Sequence, residues 1–287
     1  MYISFGILAS IIAILEEFIL GRYLGHTIYG MSIFVILPIG TIAIGSFIGV
    51  LIVKGSIIRN KKVKKSQYLC AFIITIATFL SINYMEYKTT YVTDDYEINR
   101  TGIGNPISDY TYIDDQGNEK DMTFINYEKY KLDNFDTVVS GKYAKNCEIS
   151  THGTKNYLMY FADFAGMVLG GLLGVLASQK NDIYCNECSK YKKEKKLFKF
   201  SQKDYEDVIN ILSSNKLNNE FVKSTNSLWK KDNNPVYYEA YLVYCTGCRS
   251  GQIYIKQFKT KNDTEVLENR ENITLQDYGI VENLISF

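Results

Sequence analysis

Four long apolar stretches interrupt an otherwise polar chain of 287 residues. They cover about residues 3–20, 33–53, 68–85 and 157–178. A helix needs about 20 apolar residues to cross the roughly 30 Å hydrocarbon core of a bilayer, and each stretch approaches or exceeds that length. The pattern therefore predicts a membrane α-helical bundle of four transmembrane helices.

The first stretch has an alternative interpretation, because a short apolar run at an N-terminus can be a secretory signal peptide. Glu16 and Glu17 also interrupt it. However, the start Met1-Tyr2-Ile3 has no basic region, and no small-residue cleavage motif precedes the next stretch. We therefore expect a retained anchor, so that residues 1–86 hold three spans and residues 157–178 form the fourth.

The polar segment 87–156 separates the third and fourth spans and is rich in Tyr, Asp and Thr. Apolar and aromatic residues alternate at Tyr110 and Tyr112, and again at Met122 and Phe124, with turn residues between them. Such alternation predicts a hairpin. We expect a small extracytoplasmic β or irregular insert, because so short a segment buries little surface.

The tail 179–287 is long enough for one small domain with both helices and strands. A capping pattern at Ser201 precedes apolar residues at helical spacing, and another at Thr274 predicts a short C-terminal helix. Residues 237–244 and 252–258 read as strands. The tail is therefore predicted to be an α+β domain.

Two Cys-x-x-Cys pairs lie in this tail, Cys185 with Cys188 and Cys245 with Cys248. Two such turns supply the four thiolates of a tetrahedral zinc site, and Gly247 suits the second turn because it can adopt a positive φ. The second pair lies between the two predicted strands, as in a zinc ribbon. We expect one structural zinc ion; the alternatives are redox dithiols or reduced structural cysteines.

Charge predicts the orientation of the spans. All charged residues in the connection between spans two and three are basic: Lys54, Arg59 and four further lysines. Several lysines also follow span four. Residues 86–156 instead carry 8 Lys and Arg against 13 Asp and Glu. Basic loops stay cytoplasmic, so both termini are expected inside the plasma (inner) membrane, with the unpaired Cys147 outside.

A set of polar residues is predicted in the outer third of the membrane: Glu16, Glu17, Arg22 and Asp163. Ionisable residues at this depth are costly and often functional. The set could therefore form an intramembrane polar site. Alternatively, the acids are structural and pair with Arg22 or reach outer water.

Small residues recur every four positions in two of the spans. They are Gly45 and Gly49 in span two, and Ala162, Gly166, Gly170 and Gly174 in span four. Such stripes let helix backbones approach closely. We expect helix packing within the chain; a homodimer formed through the span-four stripe is the alternative.

Signatures of catalysis and of nucleic-acid binding are weak. The sequence contains no His-Glu-x-x-His, Walker or Gly-x-Ser-x-Gly motif. The lysine-rich segment 190–199 could attract nucleic acid, but its predicted place just inside the membrane already explains its charge. No nucleic-acid partner is expected.

Several motifs together resemble a group of uncharacterised bacterial four-span membrane proteins with a cytoplasmic zinc ribbon. The residues that carry the resemblance are the Leu20-to-Gly30 segment LGRYLGHTIYG, Leu37-Pro38-Ile39-Gly40, Gly170-Gly171 and the first cysteine turn, YCNECSKY at 184–191. This resemblance implies no activity.

The leading hypothesis is a non-enzymatic membrane protein whose zinc-stabilised tail docks a protein partner or regulates an assembly. The first alternative is a small transporter or channel component that uses Glu16, Glu17 and Asp163. A membrane enzyme is the third. The expected partners are the lipid bilayer and a protein that the sequence does not identify.

Overall fold

The chain forms two compact units in a computed structural model, and each unit is described by itself. Unit 1 comprises residues 1–59 and 63–181, and unit 2 comprises residues 60–62 and 182–287. The structure describes residues 2–24, 38–95, 97–113, 116–134, 137–139, 149–151, 153–179, 184–213, 219–228, 236–261 and 264–274.

Unit 1 contains four helices that are long and apolar enough to span a membrane. They are α1 (Tyr2–Leu24), α2 (Ile39–Ile58), α3 (Lys65–Lys88) and α5 (Thr154–Gln179). At 1.5 Å per residue, each is about 30 Å long or more. The described part of the second span starts after Pro38, and residues 33–37 lie outside the described residues. Proline suits this position because the first helical turn needs no N–H donor.

Helices α2 and α5 cross with their backbones in direct contact along a line of glycines, here called the glycine seam (Gly45, Gly49, Gly170, Gly174). A Cβ on Gly45 would lie 2.0 Å from the Met167 carbonyl oxygen, and one on Gly170 would lie 2.3 Å from that of Ile42. A Cβ on Gly49 would lie 2.2 Å from a backbone oxygen of the facing helix, and one on Gly174 would lie 2.3 Å from another. The small-residue stripe of α5 therefore faces α2 of the same chain.

Polar side chains within the four helices bond to their own backbones. The hydroxyl groups of Ser56, Thr75 and Thr78 donate to carbonyls one turn earlier, at 3.1, 2.8 and 2.7 Å. Thr78 also lies 2.7 Å from the Ser10 hydroxyl of α1. Buried hydroxyls are thereby satisfied without water.

The segment between α3 and α5 contains short strands and one helix. The strands are β1 (Tyr91–Val92), β2 (Ile98–Asn99), β3 (Asn105–Pro106), β4 (Thr111–Ile113), β5 (Glu119–Asp121), β6 (Thr137–Val139) and β7 (Ile149–Thr151). The predicted hairpin corresponds to β4 paired with β5. Phe124, expected in a strand, instead begins α4 (Phe124–Asn134). Helix α4 was not predicted from the sequence because its buried face combines Tyr127 and Leu132 with the charged Glu128.

Unit 2 is built on an antiparallel sheet with strand order β10-β11-β12-β13. Its elements are β8 (Tyr184–Cys185), β9 (Lys190–Tyr191), β10 (Lys193–Ser201), α6 (Tyr205–Ser213), α7 (Asn219–Leu228), β11 (Val236–Tyr244), β12 (Gly251–Lys261) and β13 (Thr264–Thr274). Side chains that alternate along β11 and β12, such as Ala240, Leu242, Ile253 and Ile255, form one core with Leu212 of α6.

The predicted strands 237–244 and 252–258 are present as β11 and β12, and the helix predicted from Ser201 is present as α6. β10 was not predicted, because its lysines hide the apolar alternation. β13 ends at Thr274. The C-terminal helix expected after Thr274 lies outside the described residues.

Candidate metal centre

Two short turns bring the cysteine pairs together in unit 2. Cys185 is the last residue of β8, and Cys188 lies in the turn between β8 and β9. Cys245 and Cys248 lie in the turn between β11 and β12. The residue after each second cysteine, Ser189 or Arg249, has a positive φ of 52° or 58°. The two turns thus share a left-handed residue at the same position, which the cysteine spacing alone did not reveal.

The four sulfur atoms lie within 4.8 Å of one another. Cys185 and Cys248 have their Sγ atoms 3.6 Å apart. Four thiolates at about 2.3 Å from a tetrahedral zinc ion would be separated by about 3.8 Å. A disulfide requires about 2.05 Å, and the four cysteines are free thiols. The cluster can therefore hold a metal ion.

Gly247 provides the space in which the two turns meet. A Cβ at Gly247 would lie 2.7 Å from the Cys188 Sγ. The backbone N–H of Gly247 donates to the Cys245 Sγ at 3.4 Å, as expected for a turn that presents donors to sulfur. The expectation of a positive φ was wrong, since the positive-φ glycines of the described chain are elsewhere. Glycine is needed here for close approach between turns.

Hydrogen bonds within the cluster give its thiols different pKa values. The Ser250 hydroxyl, 3.1 Å from the Cys248 Sγ, lowers the pKa of Cys248 to about 6. The hydrogen bond with Cys248 raises the pKa of Cys188 to about 12. Metal ligation requires deprotonated sulfur, so a divalent ion would displace the remaining protons. Cys185 and Cys245 are buried, whereas Cys188 and Cys248 are half-buried.

Residues 60–62, which connect α2 to α3 along the chain, belong to unit 2 and contact the first cysteine turn. The Asn60 side-chain oxygen accepts a hydrogen bond from the Tyr191 backbone at 3.2 Å. The Asn60 carbonyl accepts one from the Tyr184 hydroxyl at 3.3 Å. Nothing in the sequence signalled these contacts, because the partners are more than 120 residues apart.

Part of the lysine-rich segment 190–199 is neutralised within the sheet. Glu239 is buried on β11, and its carboxylate lies 2.5 Å from Lys196 and 2.9 Å from Lys199 of β10. Burial alone would raise the pKa of Glu239, but these hydrogen bonds hold it below its ordinary value. These two lysines therefore have a structural partner.

One member of the outer polar set, Glu17, pairs with a residue outside that set. Glu17 is only 2% exposed and forms an ion pair with Arg100, whose Nη1 lies 2.9 Å from the Glu17 Oε1. Gly21, one turn later, leaves room for this guanidinium, since a Cβ there would lie 2.9 Å from its central carbon. Arg22, one of the alternative partners for the acids, lies against Gly102, where a Cβ would be 2.8 Å from its Nη2.

Asp163 of α5 lies near a charge that the sequence did not place beside it. The positive charge that acts on Asp163 is Lys131 of α4. Lys131 also forms ion pairs with Glu86 at 3.0 Å and with Glu128 at 3.6 Å. Sequence reasoning missed this group because it did not predict α4.

Comparisons of the chain with protein-family models, with curated proteins and with solved structures found no match. The four long apolar helices and the four-cysteine cluster are the parts of the suspected family pattern that the structure contains.

Proposed function

We propose that this chain is a non-enzymatic integral membrane protein whose helices anchor a zinc-stabilised cytoplasmic domain that docks a protein partner. The observation that carries the proposal is the closed set of four cysteine sulfurs within 4.8 Å of one another. Catalytic zinc sites have three protein ligands and keep a position open for water or substrate. Four thiolates fill every position, which favours a structural role.

Zinc is the metal that this ligand set suits best. Soft thiolates in tetrahedral arrangement favour zinc or iron–sulfur chemistry. The two turns, each preceded by a β-strand and joined to a sheet, match the architecture of a zinc ribbon. A reducing compartment keeps the thiols available for the metal, which supports a cytoplasmic location for unit 2.

The bilayer is the proposed environment of α1, α2, α3 and α5. Their outward faces carry large apolar side chains: Ile7, Leu8, Leu15, Phe72, Leu80, Leu169 and Leu173 are each at least 42% exposed. Contiguous apolar surface of this extent is unfavourable in water and suits lipid. The basic connection between α2 and α3 supports an orientation with both termini in the cytoplasm.

Cysteine labelling in intact cells tests this orientation. In a Cys147→Ser background, an exposed cysteine introduced by Ser108→Cys should react with an impermeant thiol reagent. One introduced by Glu206→Cys, at an exposed position of α6, should react only after the membrane is opened. Equal labelling of both variants in opened cells is the control. Labelling of Glu206→Cys in sealed cells would contradict the proposed topology.

Purification of the full chain in mild detergent tests the docking role. The wild-type protein is expected to retain a partner in stoichiometric amount, and Cys245→Ser should lose it because unit 2 no longer folds. Cys70→Ser, which changes a cysteine of α3 outside the cluster, should retain the partner. The docking role fails if the wild-type chain purifies without a stoichiometric partner, or if Cys245→Ser retains it.

The ion pair of Glu17 argues against the transporter alternative. A carboxylate held 2.9 Å from Arg100 has its charge balanced in place, as expected for a residue that joins α1 to the segment between α3 and α5. The glycine seam likewise supplies a role within the chain for the stripe that could have formed a homodimer.

A further inference from the structure

Helix α4 carries one lysine between two carboxylates, here called the Lys131 cluster (Lys131, Glu86 and Glu128). Glu86 comes from the end of α3 and Glu128 from α4 itself, and the charge of Lys131 also acts on Asp163 of α5. The Lys131 Nζ lies 3.0 Å from the Glu86 Oε2 and 3.6 Å from the Glu128 Oε2. One cation thus serves several acids at the place where α4 packs against α3 and α5.

Hydrogen bonding in the cluster is unequally divided. Glu86 accepts from the Lys131 Nζ at 3.0 Å and from the Tyr127 hydroxyl at 3.4 Å. Glu128 is 9% exposed, and both of its carboxylate oxygens are buried. Among the described residues, none donates a hydrogen bond to either of these oxygens. The nearest cation, Lys131, donates to Glu86 at 3.0 Å and approaches the Glu128 Oε2 only to 3.6 Å.

A buried carboxylate without a donor is costly in its ionised form, and binding a proton removes that cost. Burial raises the pKa of Glu128; Lys131 opposes this effect, and the charge of Glu86 adds to it. Burial alone would lower the pKa of Lys131, but Glu86 and Glu128 raise it above its ordinary value. Lys131 therefore stays charged, and a proton that enters the cluster binds to a carboxylate.

We infer that Glu128 is a proton-binding site whose occupancy controls how firmly α4 is held against α3 and α5. When Glu128 binds a proton it is neutral, and Lys131 then forms an ion pair with Glu86 alone. Without it, two carboxylates compete for one ammonium group in a poorly hydrated site. This site is independent of the metal centre and goes beyond the proposed docking role.

Charged and titratable groups face Glu128 from every neighbouring helix. They are Glu86 from α3, Tyr127 and Lys131 from α4, and Tyr160 from α5. Asp163 of α5 is acted on by the charge of Lys131. Burial, followed by the charge of Glu86, raises the pKa of Tyr127. Tyr127 thus remains a neutral donor. Lys131 therefore keeps its positive charge beside Glu128 while Glu128 gains or loses its proton.

Thermal unfolding of the full chain in detergent tests the site. A carboxylate whose pKa is raised by folding stabilises the fold below its unfolded pKa, and this contribution is lost as pH rises through the folded value. Between about pH 5 and pH 8, the unfolding midpoint of the wild-type chain relative to Glu128→Gln should therefore fall as pH increases. Glu97→Gln, an exposed acid of the same segment, should follow the wild type.

Infrared spectroscopy of the chain with isotopically labelled glutamate carboxyl groups gives a second readout. A protonated glutamate band should persist in the folded wild type to a higher pH than in the unfolded chain, whose glutamates have a pKa of about 4.3, and it should shrink in Glu128→Gln. The wild-type part of this measurement does not require the variant to fold. The inference is overturned if no such band exists, or if Glu128→Gln leaves the band and the pH dependence of unfolding unchanged.

Discussion

Replacement of Cys245 with serine will unfold unit 2 and reduce its zinc content from about one ion per chain to none. The fully buried Cys245 is the innermost ligand, so its loss opens the cluster to water. Structural zinc contributes about 10–16 kcal/mol in zinc-finger peptides, which is comparable to or larger than the whole stability of a typical domain. Metal analysis and circular dichroism of the reduced, chelator-free protein measure both effects.

Cys70→Ser is the matched control for this experiment, because Cys70 is a half-buried thiol of α3 outside the cluster. It should keep the zinc and the fold. A strong chelator should reproduce the effect of Cys245→Ser in the wild-type chain. Wild-type protein that contains no zinc, or a Cys245→Ser variant that keeps its sheet, would contradict a structural zinc site.

Replacement of Gly170 with leucine should prevent close packing of α2 and α5. The first added atom would already lie 2.3 Å from the Ile42 carbonyl oxygen, so the two helices must separate along the glycine seam. Contacts along the whole crossing are then lost, and a cost at the upper end for single substitutions, about 4–5 kcal/mol, is expected. Thermal unfolding in detergent measures this loss.

Ala177→Leu adds a leucine to an exposed position of the same helix and controls for the change in hydrophobicity. It should leave the unfolding midpoint within a few degrees of the wild type. Gly170→Ala should be intermediate, because a methyl group meets the same carbonyl with less bulk. If Gly170→Leu unfolds at the wild-type temperature, the seam does not stabilise the bundle.

Features with a short sequence period were predictable. The apolar runs indicated α1, α2, α3 and α5 because crossing a bilayer demands a fixed length of apolar helix. The alternation in residues 237–244 indicated β11. The spacing within each cysteine pair indicated a metal cluster, since two intervening residues place both thiols on one turn.

Two elements, β10 and α4, were not predicted because charged residues masked their apolar pattern. Four lysines among nine residues concealed β10, whose Phe198 and Phe200 enter the core while Lys199 pairs with Glu239. Glu128 concealed α4 in the same way. A charged residue lowers the apolar signal of an element even when the fold supplies it with a counter-ion.

The sequence by itself determined the four long apolar helices, the two cysteine pairs that could hold a metal ion and the glycines that permit close approach. Only the tertiary structure paired Glu17 with Arg100 and Lys131 with Glu86, and only it brought Gly247 against Cys188. Periodicity and spacing are local properties of the chain. The choice of partner for a buried charge depends on residues that lie far apart in sequence and become neighbours only through folding.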